Sequence, residues 1–206
     1  MTSETDRSPS SPNQNGEQVA EVVDWRPGAS EAGTWSVVGI AVTVVGVPLF
    51  ALPSVLRLGP SGSTFRIGPG DVLVVLGLTV LLVIAHEGIH GLVMLGFGTR
   101  PRFGLVLVGR VMPALYATAE GHRFTRGQYL TVAASPAVTI SMLGFLACFN
   151  PWGGYLILPL AFHLGGCVGD GFAAWRVLRE RQGTRFEDLK DGIRFHRMRA
   201  PTDDGR

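Results

Sequence analysis

The sequence predicts an all-α integral membrane protein with about four transmembrane helices and one short β-prone segment, a hairpin or a re-entrant loop. Three observations predict it. Of 206 residues, 46% are hydrophobic and only 17% charged, and the mean hydropathy is +0.28, a balance outside that of ordinary soluble domains. Four apolar stretches are long enough to cross a bilayer. One of them carries His86-Glu87-Gly88-Ile89-His90. Ionisable groups are costly in lipid, so function is the default reading of such a cluster.

The elements follow in order. Residues 1–33 are rich in Ser, Pro, Asn, Glu and Asp without hydrophobic periodicity, and read as a disordered acidic tail. Thr34 to Leu56 is apolar and uncharged. It predicts a first span, kinked at Pro48 and ended near Pro53. The first apolar stretch lies too deep in the chain for a secretory signal, and no basic segment precedes it. Residues 57–70 are a Gly/Pro/Ser-rich loop. The second span, about Val72 to Phe97, holds the HEGIH run, and Gly96, Gly98 and Pro101 mark its end.

From Arg102 to Met112 the chain is β-prone, broken by glycines, and carries Arg110. This is the hairpin or re-entrant segment. A polar patch, Glu120 to Arg126, leads to a third span from about Gln128 to Phe149 with Pro136 inside it. An Asn150-Pro151-Trp152-Gly153-Gly154 turn precedes the fourth span, about Tyr155 to Trp175. Cys148 and Cys167 both fall in apolar segments and read as buried thiols.

Basic residues give an orientation. The 98–127 connection holds Arg100, Arg102, Arg110, Arg123 and Arg126, and the chain from Arg176 on holds nine Lys or Arg. The first loop has only Arg57 and Arg66, and the 150–154 turn has none. The positive-inside rule then places both termini in the cytoplasm of a multi-pass cell-membrane protein. The second and fourth spans run in parallel. His86 and Asp170 each lie about 15 residues in, roughly 22 Å from the outer helix end, so they are expected at one depth.

HExxH spacing sets two imidazoles one helical turn apart, where both reach one zinc ion, with the glutamate beside the metal-bound water. His86 and His90 are therefore candidate ligands and Glu87 the candidate general base. Catalytic zinc takes three protein ligands. Asp170, the only other carboxylate inside a span, is the best third ligand, because the metal compensates its charge. His163 lies seven residues earlier on nearly the same face. It stays open as an alternative ligand, a partner behind a ligand, or an oxyanion donor. Cys167 is a possible ligand in the abstract, but reads as a small residue packing helices among Gly165, Gly166 and Gly169. Gly91 reads as a close helix approach, and His122 and His196 as surface histidines.

AHEGIHGLVMLGFG, followed about eighty residues later by HLGGCVGDGFAAW, resembles the zincin membrane metallopeptidases related to the site-2 protease family. The resemblance covers residues 72–178. It implies His86, His90 and Asp170 as zinc ligands and Glu87 as base. Related proteases carry an asparagine upstream of the aspartate, and His163 stands near that position here. Gly169-Asp170-Gly171 replaces their leucine-aspartate-glycine sequence.

The resulting expectation is a membrane-embedded domain over 34–178 flanked by the 1–33 tail and a basic cytoplasmic tail at 179–206. Its activity is hydrolysis of peptide bonds in or near the membrane by zinc-activated water. Its partners are the bilayer and a membrane protein or peptide substrate. An extended substrate would add as a strand to the 102–119 segment. A net charge of +2 without a basic-aromatic patch argues against nucleic acid. Two other classes stay open: a metal-binding but inactive regulatory protein, and a proton or ion relay through the His/Glu/Asp cluster. The tail beyond Arg176, with Phe186, Leu189, Ile193 and Phe195 among arginines, reads either as an amphipathic segment on the inner leaflet or as a solvated end.

Overall fold

A computed structural model describes residues 19–59, 68–108 and 112–198. Among these described residues it is mostly helical, at 64%. Strand β1 (Val19–Trp25) precedes helices α1 (Ala29–Leu58) and α2 (Pro69–Gly96). Strands β2 (Arg102–Val108) and β3 (Met112–Thr118) follow, then α3 (Arg126–Ala147), α4 (Gly154–Gly166) and α5 (Val168–Leu178). The chain ends in β4 (Arg185–Leu189) and β5 (Gly192–Met198). Among the described residues, four helices are long and apolar enough to cross a membrane: α1, α2, α3 and the α4–α5 run Gly154–Leu178.

Local chemistry sets the helix starts. Pro69 occupies the first turn of α2, where its missing N–H costs nothing. The Gly68 N–H donates to Asp71 Oδ2 at 2.7 Å. Thr125 and Gln128 cap α3 reciprocally, at 2.9 and 3.2 Å. Tyr155 Oη donates to Asp71 Oδ1 at 2.8 Å, so α2 and α4 begin at one end and run in parallel. Helix α1 packs along α4 through small residues. A Cβ on Gly165 would collide with Thr43 and the Gly39 carbonyl, so the backbones approach closely.

Two apolar cores occupy opposite ends of the helices. One joins Phe50 of α1, Ile140 of α3, Cys148, and Leu160 and Ala161 of α4. The other joins Met94, Phe124, Tyr129, Val132 and Val177 to Phe186, Ile193 and Phe195 of the terminal strands. Away from these cores the helices keep apolar side chains uncovered: Leu73 is 72% exposed and Ile40 66%.

Several expectations need correction. The fold is not all-α. Residues 19–33 are not a tail: β1 pairs antiparallel with β5, Val23 opposite Phe195, and α1 already starts at Ala29. Residues 1–18 lie outside the described residues. Residues 179–198 are neither a solvated end nor an amphipathic segment lying on a leaflet, and 199–206 lie outside the described residues. β4 and β5 form a hairpin with Phe186 opposite Phe195, and the sheet order is β1-β5-β4. The cause is burial: Phe186 and Phe195 are fully covered, and Ile193 nearly so. Helix α1 runs through Pro53 to Leu58 instead of ending near it. The β-prone segment is an antiparallel hairpin, Leu105 opposite Leu115, and Arg110 lies outside the described residues.

Candidate metal centre

Helix geometry presents His86, Glu87 and His90 of α2 to a site that α5 and α4 complete. Helix α4 stops at Gly166 and α5 restarts at Val168. The break at Cys167 puts Asp170 in the first turn of α5. His86 Nε2 lies 3.1 Å from Asp170 Oδ2 and His90 Nε2 3.6 Å from it. The two Nε2 atoms are 3.1 Å apart. Residues 84 positions apart in the chain thus share one point.

The hydrogen bonds behind these atoms decide what they offer. His90 Nδ1 lies 2.9 Å from the Val132 carbonyl, which only accepts, so the ring proton sits on Nδ1 and Nε2 presents a lone pair. His86 Nδ1 lies 3.1 Å from His163 Nε2, which likewise leaves His86 Nε2 as the inward atom. Asp170 Oδ2 is shut from solvent with no hydrogen-bond partner. Two imidazole lone pairs and an orphaned carboxylate oxygen converging this closely repel one another unless a cation joins them. Histidine nitrogens and a carboxylate are a donor set that suits zinc, and a ring N–H donated to a carbonyl is the usual support behind a metal-bound histidine. The residues present therefore fit the ion.

A second group, His86, His163 and Cys167, also brings three donor atoms together. Its atoms have other uses. Cys167 Sγ donates to the His163 carbonyl at 3.2 Å, and the two imidazoles can satisfy each other.

Beside the cluster lies a cavity of about 160 Å³, reached by Glu87, His90 and Asp170. Leu115, Tyr116 and Ala117 of β3 form one wall, and Tyr129, Asp188 and Leu189 another. Glu87 is half-buried here. Tyr129 Oη donates to Asp188 Oδ1 at 3.3 Å. Burial pushes the Asp188 carboxyl up to about 7, against the hydrogen bonds it receives.

A family described as "Putative zincin peptidase" matches residues 79–184, just over half of the chain and all of the cluster. The chain belongs to this family. Membership in this zincin family points to a zinc metallopeptidase at the level of the whole group. No curated protein and no solved structure matches the chain.

Within this zincin-family chain, the structure brings His86, His90 and Asp170 together and sets Glu87 on the adjoining cavity. It sets His163 behind His86. Both cysteines are buried and free, as expected, but Cys167 adjoins the imidazoles instead of merely packing helices. Gly91 receives the ring of Phe103 from β2, which a Cβ would strike, so the close approach is to the hairpin and not to a helix. His196 is buried and lies 2.9 Å from Glu187 Oε2, not on the surface. Sequence reading missed Asp188 and Tyr129. The available signal was Lys190-Asp191-Gly192 between two apolar-bearing runs, a hairpin pattern that would have removed Asp188 from a solvated tail.

Proposed function

We propose that this protein is a membrane-embedded zinc metallopeptidase of the kind its site-2 protease resemblance implies. The observation that carries the reading is the convergence of His86 Nε2, His90 Nε2 and the orphaned Asp170 Oδ2. In this reading those three atoms hold zinc. Bound zinc supplies Lewis acidity, polarising a carbonyl and acidifying a water.

The chain's own residues do the rest. Glu87 accepts a proton from the attacking water and returns it to the departing amine. His163 fixes the tautomer and tilt of His86 from behind, as the Val132 carbonyl does for His90. The outer edge of β3, unpaired among the described residues, borders the cavity through Leu115 to Ala117. An extended substrate adding there would hydrogen-bond its backbone to β3 and pass its carbonyl over Glu87. A helical substrate must unwind first, because its carbonyls are already bonded. The uncovered apolar faces of α1 and α2 support insertion in a bilayer, and the arginine distribution favours both termini in the cytoplasm.

Zinc stoichiometry on detergent-purified protein tests this reading. About one zinc per chain is expected in the wild type, with loss in His86→Ala and in Asp170→Ala. Glu87→Gln should keep the metal and lose cleavage of a membrane-anchored reporter. A well-folded wild type without zinc overturns the reading, as does a Glu87→Gln variant that cleaves normally.

A further inference from the structure

A second cavity, of about 250 Å³, shares no lining residue with the first. It lies between β1, the first turns of α1 and the last turns of α5. Trp25, Trp35, Phe172 and Trp175 wall it, and Glu31 and Arg176 stand at its boundary. The rings form a connected set: Trp25 and Trp35 are 6.1 Å apart, and Trp35 stacks on Phe172 at 5.4 Å.

The charges here are not spent on each other. Arg176 is half-buried, its Nε shut from solvent without a hydrogen-bond partner. Among the described residues its guanidinium meets no carboxylate, only the Phe195 ring at 5.9 Å. A guanidinium paired with no carboxylate can still take an anion through its terminal N–H groups. Glu31 accepts the Gly28 N–H through Oε2 at 2.9 Å and keeps Oε1 free among the described residues. Aromatic side chains at helix ends often form an interfacial belt. Trp175, 49% exposed, faces outward as a belt residue does, while Trp25, Trp35 and Phe172 are half-buried around a space between an acid and a base.

We propose that this cavity binds the zwitterionic headgroup of a phospholipid, its phosphate on Arg176 and its ammonium between Glu31 and the indole faces. The balanced charges favour phosphatidylethanolamine over an anionic phosphatidylglycerol, whose headgroup brings no cation to Glu31. A membrane source is favoured over a soluble one because uncovered apolar residues adjoin the cavity. Val37 and Ile40 of α1, deeper along the helix than Trp35, are 69% and 66% exposed, ready for acyl chains. The inference rests on the membrane reading of the helices and not on the peptidase reading.

The test is native mass spectrometry of the full chain, delipidated in detergent and titrated with phosphatidylethanolamine, phosphatidylglycerol or soluble phosphoethanolamine. Wild type should retain phosphatidylethanolamine about tenfold better than either alternative, the scale of one charge-assisted contact. Arg176→Gln should lose about that factor while keeping its zinc, which separates this result from failure of the metal site. Glu31→Gln should erase the preference over phosphatidylglycerol. Should Arg176→Gln fail to fold, Trp35→Leu should weaken retention likewise. Equal retention by wild type and the variant that folds overturns the proposal. So does a wild type that prefers phosphatidylglycerol, or one that binds soluble phosphoethanolamine as tightly as the lipid.

Discussion

His163 and Cys167 lie so close to His86 that a single-residue comparison separates two metal arrangements. His86 has two ring nitrogens, and the one facing Asp170 is Nε2, while Nδ1 faces His163. If His163 positions His86, His163→Ala should keep stoichiometric zinc at saturation but weaken affinity by about 10–100-fold. Gln at position 163 should restore part of that loss, since its carbonyl accepts the same N–H. Chelator competition reads both, and complete loss of zinc in His163→Ala would make it a ligand. Cys167→Ser should leave zinc content unchanged, because its Sγ is already bonded to the His163 carbonyl. Zinc lost from Cys167→Ser would shift the site to the second group.

The hairpin and the terminal sheet bring their own chemistry to the helices. Phe103 of β2 seats on the bare backbone of Gly91, which holds the hairpin against α2 one residue beyond His90. Gly91→Ala should push that ring outward and move β3 from the cavity. The expected result is reduced kcat/KM with zinc retained, and unchanged kinetics would dissociate the hairpin from substrate binding. On the terminal sheet, the hydrogen bond from His196 holds the Glu187 carboxyl below its ordinary value, with the Gly121 N–H and Arg194 adding to it against burial. The Gly121 bond, at 2.8 Å, ties the sheet to the chain leaving β3. A lowered folded value means stabilisation that is full above the ordinary value of 4.5 and lost as pH falls through the folded one. Thermal unfolding should therefore shift downward below that pH in wild type, and Glu187→Gln should flatten the dependence.

Across the molecule, β1 before the first helix pairs with β5 after the last. Both chain ends of the described structure therefore lie at one end of the helices. An even number of membrane crossings is the only insertion compatible with that pairing, so reporters fused before β1 and after β5 should fall in one compartment. Opposite compartments would overturn the four-span reading. The core at that end depends on the terminal strands, and Phe195→Ala should cost about 3–5 kcal/mol, read as a lower unfolding temperature. Loss of the strands would also remove Asp188 from the cavity beside Glu87.

The four apolar helices were legible because a bilayer-length run of apolar residues needs no tertiary information. So was the candidate cluster on α2, since helical spacing alone puts His86 and His90 on one face. Asp170 stood out in the sequence as a carboxylate inside an apolar run, a placement that calls for a partner, and the fold sets it against both histidines. The strands were not. Short β1, β4 and β5 sit in charged sequence, and only pairing between chain ends and burial of Phe186, Ile193 and Phe195 makes them strands. Which nitrogen each histidine turns inward, which partner stands behind it, and that Asp188 shares the cavity were likewise decided only in three dimensions. Those features depend on contacts between residues distant in the chain, and no local spacing encodes them.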